Sequence, residues 1–174
     1  MTRLGIRLLT ACVLTASMLV ASCSNSDQPA EKEATLQAKP KAEVSAAVRD
    51  QAQAIADAAG GQLTDFTDRS APCEGPNGET TDDGRWNLSG FAAIPLVADK
   101  HAAALQAIHD AWQSQGWDIT ENRTFKDGGG SVAGRNPQNG LNATITSSDP
   151  PKQLAVIIGS ACYRPAQGED PAND

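Results

Sequence analysis

The chain has 174 residues, 40% of them apolar and 20% charged, with a formal net charge of −7. That length holds one globular core with appendages and excludes two full ones. The acidic balance argues against a nucleic-acid partner, because phosphate recognition needs a basic surface, and no internal apolar run reaches the eighteen residues that a spanning helix needs.

Arg3 and Arg7 precede an apolar stretch of thirteen residues, Leu8 to Val20. It is too short to cross a bilayer comfortably and carries the flanks of a cleaved secretion signal. The stretch closes on Leu19-Val20-Ala21-Ser22-Cys23. This order (aliphatic, small, small, Cys) resembles the lipobox of bacterial lipoproteins. The resemblance implies that residues 1–22 are removed and that Cys23 carries a diacylglyceryl group, with fatty acyl chains such as palmitate in the membrane. The chemistry agrees: a thiol is the best side-chain nucleophile near neutral pH, and two or more acyl chains anchor stably where one does not. Cleavage near Ala16-Ser17-Met18, as in an ordinary secreted protein, would leave Cys23 an odd free thiol beside a polar linker. Losing residues 1–22 removes Arg3 and Arg7 and no acid, taking the net charge from −7 to −9. A body this acidic is repelled by anionic lipid, so acyl chains must be what holds it at the membrane.

Residues 23–40 combine the lipidated Cys23 with a polar, Pro-containing stretch that reads as a flexible tether, and 165–174 reads as a disordered tail. Between them, 41–164 is a single domain. Val44, Val48, Ile55 and Ala59 lie on one face of a helix from Lys41 to Ala59, opened by Pro40 and stopped by Gly60-Gly61. A strand is expected over 62–67. Trp86, Leu88, Ile94 and Leu96 share one parity in a strand over 85–96. A second helix runs from Asp99, its expected N-cap, to Gln115, with Leu105, Ile108 and Trp112 as its apolar stripe. Strands follow at 117–125 and 131–135, separated by Gly128-Gly129-Gly130. Asn136-Pro137-Gln138-Asn139-Gly140 then signals a hairpin into a strand with Leu141, Ala143 and Ile145 inward. Leu154 to Ile158 is apolar on both parities, as in a central strand. The expected fold is α+β: a two-layer sandwich of a mostly antiparallel sheet of five or six strands with two helices on one face.

With Cys12 leaving in the signal and Cys23 lipidated, Cys73 and Cys162 remain. An even pair in an exported chain forms a structural disulfide, and no C-x-x-C points to redox chemistry.

The chemistry-bearing residues form no recognisable centre. His101 and His109 are eight apart, where a helical zinc pair needs four, and His101 is placed at the core edge. The Gly128–Gly130 run lacks the lysine and helix of a phosphate loop. Asn77, Glu79, Asp82 and Asp83 offer oxygens without calcium-loop spacing. Trp86, Trp112 and Trp117 fit core positions rather than a ligand site. No metal, cofactor or catalytic residue is assigned. If helices cover one sheet face, the other carries Asn87, Ser89, Phe91, Asn142, Thr144 and Thr146. That surface is shallow and hydrogen-bonding, with Phe91 and Thr144 as its candidate binding residues for a protein or glycan.

Cys73-Glu-Gly-Pro-Asn-Gly-Glu79, Asp83-Gly84-Arg85-Trp86, Gly116-Trp117 and Ser160-Ala-Cys162-Tyr163-Arg164-Pro165 together resemble small actinobacterial lipoproteins. The resemblance covers most of 70–165. It implies an extracytoplasmic location and the Cys73–Cys162 bond, and it supplies no reaction to carry over. The expected function is a non-enzymatic binding or accessory module, lipid-anchored on the outer side of the cell membrane and serving an envelope protein or glycan. The alternative is an envelope hydrolase whose active site is assembled from distant positions.

Overall fold

The computed structural model describes residues 36–173 except 76, 82 and 127. The expected signal segment 1–22, Cys23 and the tether residues 24–35 lie outside the described residues. In chain order the elements are β1 (Ala38–Lys39), α1 (Lys41–Ala58), β2 (Thr64–Pro72), β3 (Trp86–Pro95) and a 3-10 turn at Ala98–Lys100. These are followed by α2 (His101–Ser114), β4 (Asp118–Thr124), β5 (Gly130–Arg135), β6 (Asn142–Ser147), β7 (Gln153–Gly159) and β8 (Arg164–Pro165).

Both helices stop by the same device. Gly60 and Gly116 take φ of +68° and +75°, a conformation open to glycine at no steric cost. Gly61 N–H then reaches the Ala56 carbonyl at 3.0 Å, and Trp117 N–H reaches that of Trp112 at 3.0 Å. Each closure satisfies carbonyls that the last helical turn leaves free. In α2 the closure also stacks two rings: Trp112 and Trp117 lie with centroids 4.5 Å apart and planes within 3°. The start of α2 differs from expectation. Asp99 does not cap it. It sits inside the 3-10 turn, which closes from Lys100 N–H to the Val97 carbonyl at 2.9 Å, and the helix begins at the buried His101.

Six strands form one antiparallel sheet in the order β2-β3-β7-β6-β5-β4. Trp86, Leu88 and Ile94 from β3, Leu154, Val156 and Ile158 from β7, Ala143 and Ile145 from β6, and Val132 from β5 are all buried. Registration puts these side chains on one face. Val44, Val48, Ala52 and Ile55 of α1 and Leu105, Ile108 and Trp112 of α2 complete the same core. Helix and sheet approach closely where the sheet carries no side chain. A Cβ on Gly90 would stand 2.4 Å from Val48 Cγ1, and one on Gly134 3.1 Å from the Trp112 ring. The fold is therefore α+β with both helices on one sheet face, as the alternation of β3, β6 and β7 requires.

The ends of the domain differ from expectation. Residues 38–39 and 164–165, assigned to the tether and the tail boundary, pair as a small parallel sheet, β1 with β8. Beyond β8 the chain folds back: Lys41 N–H donates to the Glu169 carboxylate at 2.9 Å, and Pro171 is buried. Composition reads 165–174 as disordered because it is polar and Pro-containing like the tether and has only Ala166 and Ala172 as small apolar side chains, the latter of which packs against the core. Backbone pairing and proline packing need no large apolar side chain.

Cys73 and Cys162 form the expected disulfide, with Cα atoms 6.2 Å apart. Pro72 and Tyr163 flank Trp86 of β3 on its two sides, so the bond joins the segments bordering the start of that strand.

Candidate functional site

Among the described residues, one sheet face has no helix over it. Five pairings carry a single row across this face: Thr67, Phe91, Ile157, Thr144, Ala133 and Glu121, from β2 to β4. Phe91 and Thr144, the residues singled out from the sequence, are thus the two neighbours of Ile157. Both are half-buried, and Ile157 is 44% exposed. A parallel row holds Arg69, Ser89, Gly159, Asn142, Arg135 and Asp118. The Asn142 amide lies across the Gly159 backbone, since a Cβ there would meet its oxygen at 2.8 Å. The surface is shallow, with Phe91, Ile157 and Ala133 as the apolar members of the first row and a polar row beside it.

Ile157 is the member that sequence reasoning missed. Leu154 to Ile158 reads as apolar on both parities, which fits a strand covered on both faces. β7 is central in the sheet but, among the described residues, covered on one face only, and its alternation is Leu154, Val156 and Ile158 inward with Ala155 and Ile157 outward. Coupling its parity to that of Phe91 through the register was the signal available.

Both sheet edges are closed to an added strand by irregularity and charge. Edge strand β2 shifts register between Thr64 and Thr67, where Asp65 takes φ +54°, and it carries exposed Asp68 and Arg69. Edge strand β4 shifts between Ile119 and Glu121, and Glu121 meets Arg123 at 3.6 Å. Bulges and charges of this kind block edge-to-edge pairing, so the face is the part of the sheet left for contact.

Two shallow apolar clefts flank Leu96 in the β3–α2 connection. One, of about 430 Å³, is lined by Pro95 to Ala98, Pro151 and Lys152. The other, of about 420 Å³, lies between the end of α1 and the start of α2, with Lys100 at its rim. Each lining has a single ionisable side chain, a lysine, so neither brings an acid and a base together.

The histidines are occupied otherwise. His101 is fully buried rather than at the core edge. Its Nε2 lies 3.1 Å from the Leu96 carbonyl and must donate there, which leaves Nδ1 to accept from the Ser147 hydroxyl at 3.0 Å. Ser147 Oγ in turn accepts from Gly130 N–H at 3.0 Å. The chain of bonds uses every polar atom of the imidazole and ties the start of α2 to β5 and β6. His109 sits beside Asp110 on the outer side of α2.

Among the described residues, three groups titrate away from their ordinary range, each through neighbours close in sequence. Hydrogen bonding from Arg85 holds the Asp83 carboxyl down, and His109 with Gln106 does the same to Asp110. A hydrogen bond to Glu43 raises Lys39. None of the three lies on the open face. In the loop weighed for calcium, Glu79 accepts from Asn77 N–H and Asp83 pairs with Arg85, so these carboxylates are turned to their own loop. Asp82 lies outside the described residues. Among the described residues no group of three His, Cys, Asp or Glu side chains could hold a metal.

No protein-family model matches the chain, and no curated protein matches it.

Proposed function

We propose that this chain is a lipoprotein anchored through Cys23 to the outer side of the cell membrane. There it serves the envelope as a non-enzymatic binding or accessory module through its open sheet face. The observation that carries the anchor is the ordered run Arg3, Arg7, apolar Leu8 to Val20, then Leu19-Val20-Ala21-Ser22-Cys23. The Cys73–Cys162 bond supports an oxidising, extracytoplasmic compartment. No helix among the described residues is long and apolar enough to cross a membrane. What supports binding over catalysis is the contrast between the open face, with Phe91, Ile157 and Thr144 in one row, and clefts lined by one lysine each.

Labelling cells with a tagged palmitate tests the anchor. Wild type is expected to incorporate label and fractionate with membranes, whereas Cys23→Ala takes up no label and accumulates as unprocessed precursor. A Cys23→Ala chain that matures and partitions as wild type does would overturn the anchor. For the face, Phe91→Lys with Thr144→Lys is expected to fold and stay lipid-anchored, and to lose the envelope partner that wild type retains in pull-downs from detergent extracts. Unchanged retention would refute that surface.

A further inference from the structure

From the arrangement of the open face we infer that its partner is a second copy of this chain, docked sheet against sheet about a two-fold axis. The inference rests on the proposal that this face is a binding surface. The axis lies in the interface, parallel to the strands, midway between β7 and β6. With strand order β2-β3-β7-β6-β5-β4, it seats β2 over β4 of the second copy, β3 over β5, and β7 over β6.

The rows already described then become self-complementary. Arg69 of one copy faces Asp118 of the other, because both belong to the same cross-strand row at its two ends. Phe91, the largest side chain of the first row, faces Ala133, a small one, and Ile157 faces Thr144. Gly159 faces Asn142, whose amide lies over the glycine's own strand. Arg135 meets Ser89, and Glu121, engaged by Arg123 at 3.6 Å, meets Thr67. Every large or charged group is opposed by a small or oppositely charged one, and no like charges meet. Arg69 and Asp118 are both exposed, and neither makes an ion pair among the described residues. Aligned sheets pack about 10 Å apart, with side chains from the two facing surfaces filling the gap between them.

Six strands about 4.8 Å apart and three rows of side chains make a face of roughly 30 by 20 Å, close to the ~800 Å² per partner of a standard interface. With a polar row beside the one that holds Phe91 and Ile157, the dimer is a weak one, with Kd on the order of 10–100 µM. Anchoring both copies in one membrane raises their local concentration and favours pairing without any new contact.

The test is sedimentation equilibrium of the full, lipidated chain in density-matched detergent. A monomer–dimer equilibrium is expected. Arg69→Glu is expected to weaken it about tenfold or more, as is Asp118→Arg alone, while the two together restore it. Both positions are exposed, so thermal melts should be unchanged. Phe91→Lys should abolish pairing whatever the charges do. A chain that stays monomeric to about 300 µM, a dimer indifferent to Arg69→Glu, or a charge swap that fails to rescue would each overturn the inference. So would a glycan or another protein binding monomer through Phe91 and Thr144, an outcome that would leave the proposed function standing.

Discussion

Reducing the Cys73–Cys162 bond without changing any residue isolates what the crosslink contributes, since both sulfurs stay in place and no cavity forms. The bond closes a loop across 89 residue positions. Loop-closure entropy for that span corresponds to about 4–5 kcal/mol at 25 °C, and measured crosslinks commonly deliver about 2–4. Against the total stability of about 5–15 kcal/mol of a domain this size, that is a large share. The compact unit Thr35–Asp174 unfolds with an entropy of roughly 0.3 kcal/mol/K, so loss of about 3–4 kcal/mol lowers Tm by roughly 10–15 °C. Paired urea titrations followed by tryptophan fluorescence, with and without reductant, measure the difference. The reduced chain is also expected to show a larger m-value, because its unfolded state exposes more surface. Overlapping titrations, with a difference below about 1 kcal/mol, would refute the entropic account. Two thiols alkylated in the native, unreduced protein would refute the bond itself.

Three further outcomes follow from named contacts. Ser147→Ala leaves the His101 Nδ1 and the Gly130 N–H without their partner, an expected cost of about 1–3 kcal/mol in denaturant unfolding; Thr at the same position should lose less. Gly90→Ala drives a methyl toward Val48 Cγ1, an expected cost of about 1–3 kcal/mol. Adding Val48→Ala should recover part of it, giving a favourable coupling in a double-mutant cycle. Arg85→Gln is expected to return the Asp83 carboxyl toward the ordinary range, read by NMR titration. Because its folded pKa is depressed, any stabilisation it gives is present above the unfolded pKa and lost as pH falls through the folded one.

Local features were legible wherever the chain repeats a period or breaks it. The spacing of Val44, Val48 and Ile55 and the glycines at 60 and 116 place both helices to within a residue at their C-terminal ends, since those ends depend on neighbours one turn away. Alternation in β3 and β6 assigns inward and outward side chains, and the even cysteine count assigns the disulfide. The start of α2 was not legible, because His101 begins the helix through contacts with Leu96 and with Ser147, 46 residues away.

For the candidate surface, the sequence by itself put Phe91 and Thr144 at the parity opposite the apolar set of their own strands, because side chains alternate with a period of two in any strand. Only the tertiary structure decided that Ile157 stands between them and that Arg69 and Asp118 end a common row. Those relations depend on register between strands far apart in the chain. It also decided that the tail folds back, since Lys41 meets Glu169 across 128 residues. Periodicity is set by bonds along one chain segment. Register and coverage are set by which segments meet, and no local pattern carries that information.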